Sequence, residues 1–291
     1  MTLLPIQLLS RDELIKLELK SIQYRRTILS IIYSAKGGHT GGSLSCVDIL
    51  NVLYNKIMNI TPVNFSSIDR DHYVHSKGHA VEALYAVLLD LGFYSQQDLN
   101  TIEKYNSPFI GHPSRDVPGI EQNTGALGHG LSFSVGMAIA AKLDKRNNRI
   151  FTIMGDGELT EGSIWEASAS AAYYKLDNLV AIIDCNTLQI SGRTEKVMAM
   201  EPLGEKFAAF GFAVRYVDGH NMGELTALLG SLPFEQGKPN LVIANTVKGK
   251  GISFMEDNVI WHHRVPTDDE YELAQAELNQ AEKNLEIKYG G

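Results

Sequence analysis

Residues 149 to 192 read RIFTIMGDGELTEGSIWEASASAAYYKLDNLVAIIDCNTLQISG. Two runs in it, RIFTIM (149 to 154) and NLVAIIDC (178 to 185), are apolar without strict alternation, as strands buried on both faces are. Between them GSIWEASASAAYYKL has the length and spacing of a helix. Strand, helix, strand is a crossover unit, which joins parallel neighbours. The first strand ends in Gly155-Asp156-Gly157 and the second in Asn186, 30 residues after Asp156. If the strands are adjacent, their ends lie about 5 Å apart, and the Asp156 carboxylate and Asn186 amide carbonyl converge on one point.

Two hard oxygen donors facing one cavity suit Mg²⁺, which completes its octahedron with water and substrate phosphates rather than with an all-protein cage. One carboxylate plus one neutral amide leaves the cation charge with which to hold a diphosphate. The flanking glycines allow phosphate oxygens near the backbone, and the N-terminus of the following helix favours an anion. A lone GDG would read more simply as a turn, with Asp156 capping the helix and Asn186 opening an Asx turn. The spacing to a second strand end favours the cation.

Working outward, further strands are expected at HYVHS (72 to 76), FAVRYVD (212 to 218) and NLVIANTV (240 to 247). Helical stretches lie between them: GHAVEALYAVLLDLG, GLSFSVGMAIAAKLD and MGELTALLGSL. An amphipathic helix from about Arg11 to Ser34 precedes this core, and a charged helix from about Asp268 to Lys288 follows it. The pattern predicts an α/β fold, a central and mainly parallel sheet with helices on both faces. A single domain over residues 1–291 is expected, with a helical segment over about 1–60 and disorder only at the ends. Open parallel sheets bind ligands at the carboxyl ends of their strands. SKGHA, GDGELTEG, NTLQISG, DGHN and KGKG fall at those ends, in that order.

Composition narrows the function. Net charge is −8 and no basic patch is visible, which argues against a nucleic-acid partner. No apolar run approaches the roughly 20 residues of a membrane span, and MTLLPIQLLSRDE has no basic lead or cleavage site, so a cytoplasmic protein is expected. Cys46 and Cys185 form no CxxC and are expected to be buried thiols. No GxGxxG follows the first strand, which sets aside a nicotinamide-binding dehydrogenase.

GDGELTEG followed by DCNTLQISG resembles the thiamine-diphosphate signature of transketolases. The resemblance extends through GGHTGGSLSCVDIL, SKGHA, IGHPS, NTGALGHGLSFSVGMAIA and VKGKGISFMEDNVIWHH. It implies that Asp156, Asn186 and the backbone carbonyl of Leu188 hold Mg²⁺, with Ca²⁺ or Mn²⁺ as alternatives. Gly157, His79 and His262 would contact the diphosphate, Gly125 and Leu127 the aminopyrimidine side of thiamine diphosphate, and Ile190 would support its bent conformation. The sequence departs in Asn186-Thr187, where Asn-Asn is common, and in WHH, where His263 replaces a glycine and adds bulk at the pocket mouth.

His39, His112 and His262 sit in loops of small residues, where a packed core histidine is unnatural. The resemblance implies that they line the channel for a donor ketose and assist proton transfer. His72, His75 and His79 could suggest a zinc site by spacing, but strand alternation separates the first two. His72, His75 and His220 are read as structural, and His129 as a helix N-terminal residue beside the cofactor. Glu161 either complements a helix dipole or, by the resemblance, joins an acidic proton relay between paired sites.

In this family a second domain carries the carboxylate that activates the aminopyrimidine and the groups that grip a sugar phosphate. The sequence ends at KNLEIKYGG, where that domain would begin. The expectation is the N-terminal subunit of a split transketolase, in an α2β2 assembly with a C-terminal subunit bearing the pyrimidine-binding and C-terminal domains. It would transfer a two-carbon ketol unit between sugars or sugar phosphates. The alternatives are deoxyxylulose-phosphate-synthase-like transfer from pyruvate and a non-catalytic relic of the fold.

Overall fold

Alternate residues of the three central strands serve two different hydrophobic cores, and this is why those strands read as continuous apolar runs. In a computed structural model, which describes residues 9–289, Phe151, Ile153, Val180, Ile182 and Val242 face one core. Their neighbours Ile150, Met154, Leu179, Ala181, Ile183, Leu241 and Ile243 face the other. The disorder expected at the chain ends lies outside the described residues.

In chain order the elements are α1 (Arg11–Ala35), α2 (Thr40–Val52), β1 (His72–His75), α3 (Val81–Asp90), α4 (Gln96–Leu99) and α5 (His129–Leu143). There follow β2 (Ile150–Gly155), α6 (Gly162–Tyr173), β3 (Leu179–Cys185), α7 (Thr194–Val197), α8 (Leu203–Phe210), β4 (Ala213–Asp218), α9 (Met222–Leu229), β5 (Asn240–Asn245) and α10 (Asp268–Tyr289). All strand pairs are parallel, in the order β1-β2-β3-β5-β4. Helices α1, α2, α3, α9 and α10 cover the first core, and α5, α6 and α8 the second.

Ser10 starts α1 with a capping box, its backbone N–H donating to Glu13 Oε2 at 2.9 Å while Glu13 N–H donates to its hydroxyl. Helix α10 lies against α1, where Tyr33 and Tyr271 stack with ring centroids 4.3 Å apart. Among the described residues no helix is long and apolar enough to cross a membrane.

Two close approaches draw the strand-end loops together. A Cβ on Gly130, in the first turn of α5, would lie 2.6 Å from Ser76 Cα, so α5 can start against the end of β1 only with glycine there. Gly125 has φ +136°, and a Cβ on it would come within 2.6 Å of His112 Cδ2.

Candidate active site

The register of β2 and β3 sets Gly155 opposite Asp184, so Asp156 and Asn186 do leave adjacent strand ends. Asp156 Oδ1 accepts from Gly157 N–H at 2.8 Å and Oδ2 from Thr187 N–H at 2.6 Å, across the strand gap. Asn186 Oδ1 accepts from Leu188 N–H at 3.2 Å, so the Asx turn is present as well. Burial, aided by the charge of Asp184, raises the Asp156 carboxyl to about 6.

Lys77 follows β1 and Lys248 follows β5. Lys77 Nζ pairs with the fully buried Asp184, which also accepts from Ser45 Oγ at 2.6 Å, Asn186 Nδ2 at 3.1 Å and Thr246 Oγ1. Burial opposes the charge on Lys77 but Asp184 outweighs it, so its pKa is raised. Lys248 Nζ donates to Leu188 O at 2.9 Å and to His262 Nδ1 at 2.7 Å. Burial and then the nearby Lys77 lower its pKa to about 8.

These strand ends enclose a cavity of about 340 Å³, lined by His39, His79, Leu127, Gly157, Asn186 and Leu188, and further by Lys77, Lys248, Gln189, Ile190 and His262. Above it imidazoles from four loops meet. The His39 ring lies 4.8 Å from His79, 5.8 Å from His262 and 4.5 Å from His263, and His112 lies 4.6 Å from His79. Burial, then the neighbouring rings, lowers His39 to about 3; burial and then Lys248 lower His262 to about 3. His79 and His112 are lowered as well, chiefly by burial. At neutral pH these four are uncharged imidazoles, each with one donor and one acceptor nitrogen suited to sugar hydroxyls.

The residues fit a cation and an anion together. Asp156, Asn186 Oδ1 and Leu188 O are oxygens at adjacent strand ends, one of them a carboxylate, which is the donor chemistry that suits a hard cation shared with phosphate oxygens. Leu188 O already receives a cation, the Lys248 ammonium, and a metal bound there would take its place. Two buried polar atoms of the pocket, His79 Nδ1 and Gln189 Nε2, have no hydrogen-bond partner among the described residues, as expected of a ligand site. Among the described residues no three His, Cys, Asp or Glu side chains group as a metal site, and His72 and His75 are engaged with Glu121 and with Tyr73 and Ala80.

Residues 18–288 match the family described as transketolase, thiamine diphosphate binding domain. The chain belongs to that transketolase family. It is 48% identical over 275 residues to an apulose-4-phosphate transketolase subunit of Phocaeicola vulgatus, covering 94% of this chain and 98% of that one. A 6-deoxy-6-sulfo-D-fructose transketolase subunit of Clostridium sp. is 40% identical, covering 92% of this chain and 98% of its own. The crystal structure of Campylobacter jejuni transketolase superposes with TM-score 0.83 at 29% identity, over 93% of this chain but 45% of that one. Human transketolase is 36% identical, with 41% of its length covered. The chain thus spans nearly all of the two relatives named as subunits and less than half of the other two transketolases.

Against the transketolase expectation, the cavity gathers His39, His79, Leu127, Gly157, Asn186, Leu188, Ile190 and His262. Gly125 and His112 lie beside it, in contact with one another. Asp156 lines an adjoining cavity of about 360 Å³ with Cys185 and Glu201, behind the Asn186 loop. Glu161 is exposed at the start of α6, where its side chain makes no capping bond. His129 opens α5, and His263 reaches the rim through His39. The three histidines read as structural are so placed. His72 meets Glu121, His75 Nε2 donates to Ala80 O while its Nδ1 accepts from Tyr73 Oη, and His220 meets Asp48. Both cysteines are buried.

Sequence reasoning passed over Lys77, Lys248, Gln189 and Asp184, which stand inside quoted motifs, and over Glu82 of α3. Glu82 is buried behind His39, accepting from His39 N–H at 3.1 Å and Ser43 Oγ at 2.7 Å. Burial raises its carboxyl from 4.5 to about 7. The folded chain therefore holds a proton that the unfolded chain has lost, so this group's stabilisation is complete below pH 4.5 and is lost as pH rises through 7. At 1.36 kcal/mol per unit the loss is about 3 kcal/mol. The stability of Glu82→Gln relative to the wild type should rise with pH, from under about 1 kcal/mol at pH 5 to about 3 kcal/mol at pH 8, in thermal melts. A difference between the two that does not change with pH would contradict the assignment.

Proposed function

We propose that this chain is the diphosphate-binding subunit of a two-subunit transketolase, acting as one domain over residues 1–291. What supports the reading is that four adjacent strand ends carry the Asp156 carboxylate, the Asn186 amide and the Leu188 carbonyl beside the side chains of Lys77 and Lys248. Asp156, Asn186 and the Leu188 carbonyl would hold Mg²⁺, and Ca²⁺ or Mn²⁺ can take the same donors. Lys77, Lys248, His79, His262 and the Gly157 backbone would bind the diphosphate. Gly125 and Leu127 would lie along the aminopyrimidine, and the exposed Ile190 would lend it an apolar wall.

Bound thiamine diphosphate would supply the carbon centre that takes a two-carbon ketol unit from a ketose and passes it to an aldose. The chain's own part is to bind and orient. His39, His112 and His262, neutral at working pH, would hold the ketose hydroxyls and relay their protons. Glu161, on the surface beside the site, would join an acidic relay across the interface with a second site.

The partner would be a C-terminal subunit with the pyrimidine-binding and C-terminal domains, in an α2β2 assembly in the cytoplasm. Support for it comes from relatives named as transketolase subunits and from single-chain relatives more than twice as long. Those named relatives act on a phosphate-bearing and a sulfo-bearing sugar, which favours a ketose with an anionic tail, as in pentose phosphate chemistry, over pyruvate. Mixing the chain with such a partner, Mg²⁺ and thiamine diphosphate should give ketol transfer from a ketose phosphate and none from pyruvate. The chain alone should give none. Equal rates with and without the partner would refute the split-enzyme reading, and light scattering of the mixture tests the stoichiometry.

A further inference from the structure

We infer that Arg25, Asp48 and His220, three residues outside the cavity, act as positioning residues for Lys248. The inference rests on the proposal that the cavity takes a diphosphate. Lys248 belongs to the loop after β5, and this loop is held at two points on either side of it. Before it, Val247 N–H donates to His220 Nε2 at 2.8 Å. After it, Lys250 O accepts from Arg25 Nε at 2.8 Å.

Both clamps rest on one carboxylate. Asp48, 2% exposed, accepts from Arg25 Nη1 at 2.9 Å and Nη2 at 2.6 Å, and its Oδ2 lies 2.7 Å from His220 Nδ1. Because His220 Nε2 accepts, Nδ1 carries the proton, and Asp48 fixes that tautomer. The guanidinium fits beneath the loop only because Gly251 has no side chain. Its φ is +95°, and a Cβ there would lie 2.7 Å from Arg25 Cδ and Nε.

A buried carboxylate with a bidentate arginine on one side and an imidazole on the other is costly to assemble, and a simple staple between α1 and α2 would not need the imidazole. Here the imidazole ends on the amide immediately before the lysine. Without it Val247 N–H loses its acceptor, and the backbone no longer fixes the ammonium at the cavity beside His262. The consequence is weaker diphosphate binding transmitted through Lys248 alone.

A double-mutant cycle separates this from general loosening. Thiamine diphosphate is titrated calorimetrically, in saturating MgCl₂, into the two-subunit complex containing the wild type, His220→Ala, Lys248→Ala or both substitutions. With Lys248 present, His220→Ala should weaken binding about tenfold; with Lys248→Ala already in place, it should add less than about twofold. Equal losses in the two backgrounds, or no loss from Lys248→Ala, would overturn the inference. Absence of saturable binding by the wild type would instead overturn the assignment of the cavity and take the inference with it. If His220→Ala does not fold, His220→Leu, which fills the site but offers Val247 N–H no acceptor, runs through the same cycle with the same two readings.

Discussion

Asp156→Ala should raise the dissociation constant for thiamine diphosphate in the presence of Mg²⁺ by about 100-fold or more, with the fold retained. The substitution removes the only carboxylate of the oxygen set and leaves the amide of Asn186 and the carbonyl of Leu188 facing two lysine ammonium groups. Lys77 is already paired with Asp184, so neutral oxygens are left to hold a divalent ion beside the Lys248 ammonium; the metal is lost and the diphosphate is held by the lysines alone. Asp156 also caps Gly157 N–H and Thr187 N–H, at 2.8 and 2.6 Å, so some stability is lost as well. A cap is worth about 1 kcal/mol, small beside two buried cores. Asp156→Asn, which keeps one oxygen acceptor, controls for that loss. Calorimetry on the two-subunit complex with and without Mg²⁺ measures the effect, and metal-dependent binding at wild-type affinity would sink the interpretation of the site.

That carboxylate could be found in the sequence because local signals fixed both of its coordinates. RIFTIM and NLVAIIDC became β2 and β3 within one or two residues, since strands that feed two cores keep apolar residues at nearly every position. One helix between them made the strands neighbours, and their ends followed. The lysines carried no such mark. Lys77 and Lys248 lie among glycines in SKGHA and KGKG, and lysine in a glycine loop ordinarily points to water. Lys248 is 2% exposed because β5 inserts between β3 and β4, a placement that no local periodicity encodes. Helix α2 falls within the helical segment expected over about 1–60, but its start could not be located there. Its first residues, Thr40-Gly41-Gly42-Ser43, are poor helix formers, and burial of nearly the whole helix overrides that preference. The convergence of His39, His79, His112 and His262 from four distant loops likewise depends on tertiary closure. Only their setting among small residues hinted at it.

Asp184→Asn should destabilise the chain by about 3–5 kcal/mol, the usual cost of breaking a buried ion pair from one side. Asp184 ends the apolar run of β3 with no exposure and gathers Lys77, Ser45, Thr246 and Asn186 about its carboxylate. Asparagine is close in size, so the packing survives while the charge and one acceptor oxygen are removed. The Lys77 ammonium then stays buried beside Lys248 without a counter-charge. In a domain this large each kcal/mol moves the midpoint by about 2–4 °C, so a fall of roughly 10 °C is expected in thermal melts. Lys77→Met added to Asp184→Asn should restore part of the loss, because two neutral side chains leave no uncompensated ion. The same double variant should bind thiamine diphosphate more weakly than the wild type, since one of the two ammonium groups is gone. A stability loss that Lys77→Met deepened would mean that Asp184 serves the hydroxyls of Ser45 and Thr246 rather than the lysine.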